Sequence, residues 1–133
     1  MKLRIKGNSI RLRLLQSEVA KLIEASSISE SIIFGSTAND VLTYTLISSK
    51  EENGVAARLV GNEIVIIVPE ATATTWASTD AVSIEANQHI EETGDNLAIL
   101  IEKDMACSSR PDDPDNADAF PVPKAAINNY GDE

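Results

Sequence analysis

The chain has 133 residues, 43% of them hydrophobic and 24% charged, which is the composition of one folded domain and not of a disordered chain. A net charge of -10 argues against general nucleic-acid binding, and the longest aliphatic run, Ile64 to Val68, is too short to span a bilayer. Cys107 is the single cysteine, so no internal disulfide forms; the opening Met1 to Lys6 lacks the apolar stretch of a secretory signal, and a cytoplasmic protein with no membrane or nucleic-acid partner is expected.

Strands are predicted near 2–6 and 9–14, joined by a two-residue turn at Gly7-Asn8 in which Gly supplies the positive φ of a type II′ turn. Ser17 is a candidate cap for a helix over Glu18 to Ala25, whose Val19, Leu22 and Ile23 share a face. Two strands follow, near 28–34 and 41–48, and Ser48 to Gly54 reads as a loop. The pattern then restarts: strands near 55–60 and 63–68 flank Gly61-Asn62, and a Thr-rich helix over Glu70 to Ala77 follows Pro69, anchored by Trp76. Strands near 81–86 and 97–103 complete it, with Asn87 to Asn96 read as a surface loop. From Met105 on, four of the five prolines lie among aspartates, which predicts an irregular acidic arm with Phe120 as its apolar anchor.

The restart has a constant offset of 54 residues. Arg4-Ile5-Lys6-Gly7-Asn8-Ser9-Ile10 lines up with Arg58-Leu59-Val60-Gly61-Asn62-Glu63-Ile64, and Thr45-Leu46-Ile47 with Ile99-Leu100-Ile101. The expected fold is therefore α+β: a duplicated ββαββ unit (1–54 and 55–104) forming one domain over 1–104, with the arm at 105–133. Its eight mainly antiparallel strands would make a continuous sheet or a barrel, with two helices outside.

Charge is unevenly placed. Residues 1–13 carry five bases and no acid. A two-residue turn at Gly7-Asn8 makes cross-strand partners sum to fifteen, which puts Lys2, Arg4, Lys6, Arg11 and Arg13 on one face of the hairpin. Like charges facing each other cost a few tenths to about 1 kcal/mol per pair, so water, neighbouring acids or a bound anion must offset them. Glu102 and Asp104 share a face of the last strand and are candidates to meet the arginines; with two oxygen donors they are also weak candidates for a divalent cation. In the second unit Val65 and Ile67 stand where Arg11 and Arg13 stand in the first. That apolar half would line part of a barrel interior or be covered by a second copy in a homodimer.

The remaining candidates are weaker. His89, the single histidine, lies among Glu91 and Glu92 with no partner for a zinc site, and a Cys107–His89 catalytic pair would need the two brought together. Asp112 to Asp118 lacks the glycine and glutamate of a calcium loop, and is expected to be solvated or to fold back on the basic hairpin. No nucleotide-binding loop or nucleophile elbow occurs.

Two blocks resemble a family of small bacterial proteins to which no activity is attached: the opening Met1-Lys2-Leu3-Arg4-Ile5-Lys6-Gly7-Asn8-Ser9-Ile10-Arg11-Leu12-Arg13-Leu14, and the closing Ile101-Glu102-Lys103-Asp104 with Cys107, Arg110 and Asp118-Ala119-Phe120-Pro121-Val122-Pro123. In architecture the chain distantly resembles the CYTH-type triphosphate tunnel enzymes, duplicated eight-stranded barrels with a charged interior. That resemblance implies a metal-dependent triphosphate site using Mg²⁺ or Mn²⁺, with Glu102 and Asp104 in place of the usual E-x-E-x-K glutamates; here the opening reads Lys2-x-Arg4-x-Lys6. The residues themselves point first to a non-enzymatic structural or binding domain without a cofactor. Its basic face would take an anionic small molecule or an acidic partner segment.

Overall fold

The computed structural model describes residues 1–106 and 112–122. Eight strands and two helices form in the expected order: β1 (Lys2–Lys6), β2 (Ser9–Leu14), α1 (Gln16–Ala25), β3 (Ser27–Ile33), β4 (Val41–Ser49), β5 (Ala56–Val60), β6 (Glu63–Pro69), α2 (Glu70–Ser78), β7 (Ser83–Ile90) and β8 (Asp95–Lys103), with single 3-10 turns at Ala38–Asp40 and Pro114–Ala117. Gly7 and Gly61 adopt φ of 54° and 57° while Asn8 and Asn62 stay at negative φ, the pattern of a type II′ turn. Among the described residues no helix is long and apolar enough to cross a membrane.

The strands do not make one sheet or a barrel. They form two four-stranded mixed sheets, ordered β1-β2-β8-β7 and β3-β4-β6-β5. In each, two antiparallel hairpins are joined by a central parallel pair, β2 with β8 and β4 with β6. Each hairpin is local, but its partner comes from the other half of the chain. Each helix is the crossover between sheets: α1 leads from β2 to β3, and α2 from β6 to β7.

A barrel would need a backbone ladder where the sheets' edges meet, and side chains stand there instead. At the β5–β7 seam the Gln88 amide bonds the backbone of Ala57. At the β1–β3 seam the Met1 ammonium pairs with Glu30 on β3, and Tyr44 Oη donates to the Met1 carbonyl.

Alternation places one face of each sheet in a common core. Leu12, Leu14, Ile84, Ile99 and Ile101 come from the first sheet, Ile28, Leu46, Ala57, Ile66 and Val68 from the second, and Val19, Leu22, Ala73 and Trp76 from the helices. Fully burying a Leu or Ile contributes about 1.5–3 kcal/mol, so this shared cluster is what joins the sheets.

Two local expectations change. Helix α1 starts at Gln16, not after Ser17. Its first turn is capped from a distance: the Ser17 N–H donates to Asp118 Oδ1 at 3.0 Å and the Gln16 N–H to the Asp118 carbonyl at 2.8 Å, while Glu18 accepts the Leu15 N–H. The stretch Asn87 to Asn96 is mostly strand, with the turn confined to 91–94. The described part of the C-terminal arm lies along the end of β8 through a parallel bridge between Met105 and Phe120.

Candidate anion-binding face

The turn at Gly7-Asn8 sets the hairpin register, and the observed pairs are Lys2 with Arg13, Leu3 with Leu12, Arg4 with Arg11, Ile5 with Ile10 and Lys6 with Ser9. Leu12 and Leu14 are buried, so all five basic residues project from the outer face of the first sheet. Beside β2, β8 sets Leu100 level with Arg11 and Glu102 level with Arg13; beyond it β7 sets Glu85 opposite Leu100 and Asn87 opposite Ala98. Three rows cross this face: Lys2–Arg13–Glu102–Ser83, Arg4–Arg11–Leu100–Glu85 and Lys6–Ser9–Ala98–Asn87.

The first row is internally neutralised. Arg13 Nε donates to Glu102 Oε1 at 2.6 Å, and Arg11 Nε lies 3.5 Å from the same oxygen. Lys2 Nζ lies 2.9 Å from Asp104 Oδ2 and 3.3 Å from Asp115 Oδ2. Asp104 is 8% exposed and this oxygen has no well-aimed hydrogen bond, so its charge rests on the ion pair with Lys2. Contact with Asp104 in turn raises the Lys2 ammonium above its ordinary 10.5. The acidic arm thus folds back on the basic hairpin at Lys2.

Glu102 and Asp104 are therefore both engaged by cations. Among the described residues no three His, Cys, Asp or Glu side chains gather closely enough to hold a metal. This donor set does not fit the Mg²⁺ or Mn²⁺ of a triphosphate tunnel.

The other two rows differ. Arg4 and Lys6 have no carboxylate within ion-pair distance among the described residues, and Glu85 has no cation. Ser9 and Ala98 are small, and beside them the surface dips into a depression of about 510 Å³ lined by Ser9, Arg11, Glu85, Asn87, Ala98 and Leu100.

His89 sits on β7, exposed, with Nδ1 3.0 Å from Asn96 Oδ1. Cys107 and Arg110 lie outside the described residues. The aspartates at 113–118 serve the fold: Asp113 accepts the Asp115 N–H, Asp115 pairs with Lys2 and Asp118 caps α1.

Glu85 and Asn87, the far wall of the depression, were not legible as site residues. The signal was faint: Glu85 alternates against the apolar Ile84, but only the β7–β8 pairing brings it across from the arginines. Lys103 is a second residue the sequence conceals. It is 7% exposed, donates from Nζ to the Thr79 carbonyl at the C-terminal end of α2 (2.7 Å), and lies 6.0 Å from the Trp76 ring centre and 5.2 Å from that of Phe120. Burial lowers its pKa below the ordinary 10.5.

The family model of DUF7009, a family of unknown function, matches residues 1–124. No curated protein and no solved structure matches the chain.

Proposed function

Because the chain belongs to DUF7009, a family to which no function is attached, we propose its function from the site alone: a non-enzymatic binding domain that holds a small anion on the outer face of its first sheet. The observation that carries this is Arg4 and Lys6, left without carboxylate partners beside Arg11 and a depression of about 510 Å³, in a chain of net charge -10. An acidic protein has carboxylates in ample supply to pair every base, and on this face it pairs Lys2 and Arg13 but leaves Arg4 and Lys6. Arg4 and Arg11 would supply charge-assisted hydrogen bonds to the anion, and Lys6 a peripheral charge. Arg13 and Lys2 hold the structure around it.

We read the fold beneath the site as a duplication. Moving each strand four places along the chain turns the order β1-β2-β8-β7 into β5-β6-β4-β3, the second sheet read from its other edge. The registers support an offset of 54 in the first strands of each unit and 55 in the last. Ser9 pairs with Ala98 and Glu63, its equivalent, pairs with Thr43, so Ala98 answers to Thr43 and Ile101 to Leu46. Leu46 and Ile101 are both fully buried.

Thermal stability measured with sulfate, phosphate, tripolyphosphate and a simple carboxylate tests the binding. A ligand at 100 times its Kd adds about 2.7 kcal/mol, several degrees for a domain of this size. The Arg4→Ala/Arg11→Ala variant is expected to fold and to lose the shift. No shift in the parent protein with any anion, or an unchanged shift in the variant, overturns the proposal.

A further inference from the structure

The row Arg4–Arg11–Leu100–Glu85 has a polarity that a plain anion site does not need. Two cations stand at one end, an apolar side chain in the middle, and at the other end a carboxylate with no partner among the described residues. Adjacent strands lie about 4.8 Å apart, so β2 and β7 are separated by about 10 Å across β8. The depression lies along this span, with Arg11 on one wall and Glu85 and Asn87 on the other.

We infer that the ligand of this face is dipolar: a small molecule with an anionic group at Arg4 and Arg11, an apolar spacer over Leu100, and an ammonium group at Glu85. The inference rests on the anion-binding reading and narrows it. Glu85 would repel the far end of a polyanion such as tripolyphosphate, so the anionic group is expected to be compact and confined to the arginine end of the row. An ammonium supplies Glu85 with its missing counter-charge. Asn87, on the same strand as Glu85 and level with Ala98 in the next row, offers an amide to orient the ammonium end.

The test compares three probes of matched length by calorimetric titration: 6-aminohexanoate, hexanoate and hexylamine. The parent protein is expected to bind 6-aminohexanoate about 1.4- to 5-fold more tightly than hexanoate, the gain an exposed ion pair of about 0.2–1 kcal/mol provides. Glu85→Gln is expected to bring the two to equal affinity. Equal affinity of the two probes for the parent protein, or a preference that survives Glu85→Gln, overturns the dipolar ligand while leaving the anion site intact. If neither probe binds and the anion series above also gives no shift, both readings fall together. Hexylamine binding as tightly as 6-aminohexanoate would also overturn the inference, since the arginines would then have no role.

Discussion

Gln88 on β7 exchanges both hydrogen bonds with the backbone of Ala57 on β5: its Oε1 accepts the Ala57 N–H at 2.8 Å and its Nε2 donates to the Ala57 carbonyl at 2.9 Å. One side-chain amide thus mimics a residue of a neighbouring strand, and it does so where a barrel would have continued its ladder. Ala57 is 7% exposed, so its polar groups have little water to turn to.

Gln88→Ala is expected to destabilise the fold by about 1–3 kcal/mol, the cost of leaving a buried donor and acceptor unpaired. Gln88→Glu keeps the acceptor but removes the donor, and should also be less stable than the parent. Urea midpoints with unchanged m-values would check both. A Gln88→Ala variant as stable as the parent would mean that water replaces the amide at this seam.

Asp118 caps a helix more than a hundred residues earlier in the chain, through its side chain to the Ser17 N–H and its carbonyl to the Gln16 N–H. Asp118→Ala removes the side-chain acceptor and the favourable charge at the helix N-terminus, and should cost about 1 kcal/mol. Asp118→Asn should recover most of it, since an amide oxygen also accepts. Equal losses in both variants would place the effect in the Asp118 charge and not in the cap.

Glu102 is the counter-ion that lets Arg11 and Arg13 share one strand, at 3.5 and 2.6 Å. Its side chain is 17% exposed while the arginines are more open, so the pairing is partly screened and Glu102→Ala should cost about 1–2 kcal/mol. Because the loss is repulsion among like charges left facing one another, added salt should reduce it. A loss that does not change with ionic strength would point to lost packing instead.

The limits of reading this fold from its sequence follow from which contacts are local. The five pairs of the first hairpin come directly from the turn at Gly7-Asn8, and the basic outer face follows from them. The burial of Ile99 and Ile101 likewise follows from alternation, and with it the outward face taken by Glu102. The central pairings do not. Nothing in β2 distinguishes β8 from another alternating strand as its parallel neighbour, so a continuous sheet, a barrel and two sheets looked alike. The end of β7 was hidden for a different reason: Asn87, Gln88 and His89 are polar enough to read as loop, yet Gln88 faces a neighbouring strand edge and His89 faces Asn96. Lys103 was hidden because a lysine suggests solvent, although it continues the inward series of Ile99 and Ile101.

That buried lysine gives the pH dependence an unusual component. Desolvation lowers the folded-state pKa of Lys103 below 10.5, with Asp80 opposing the shift, so between the two values the unfolded chain binds more protons than the folded one. Its contribution to stability therefore rises with pH across that window, and the penalty for burying the charge is fully present below it. Lys2 acts in the opposite sense. Contact with Asp104 raises its folded-state pKa above 10.5, and the stability it contributes is lost as pH climbs through that raised value. The Tyr44 hydroxyl, raised above 10.0 by burial first and then by Glu30, is likewise a loss on the alkaline side. In the parent protein Lys103 opposes the other two. Lys103→Met keeps an unbranched apolar side chain at this position but removes the ammonium that lies over Trp76 and Phe120, so its stability should fall more steeply than the parent's as pH rises toward 10.5. Urea midpoints taken from pH 8 upward would show the two curves diverging; parallel curves would mean that Lys103 titrates alike in the folded and unfolded chain.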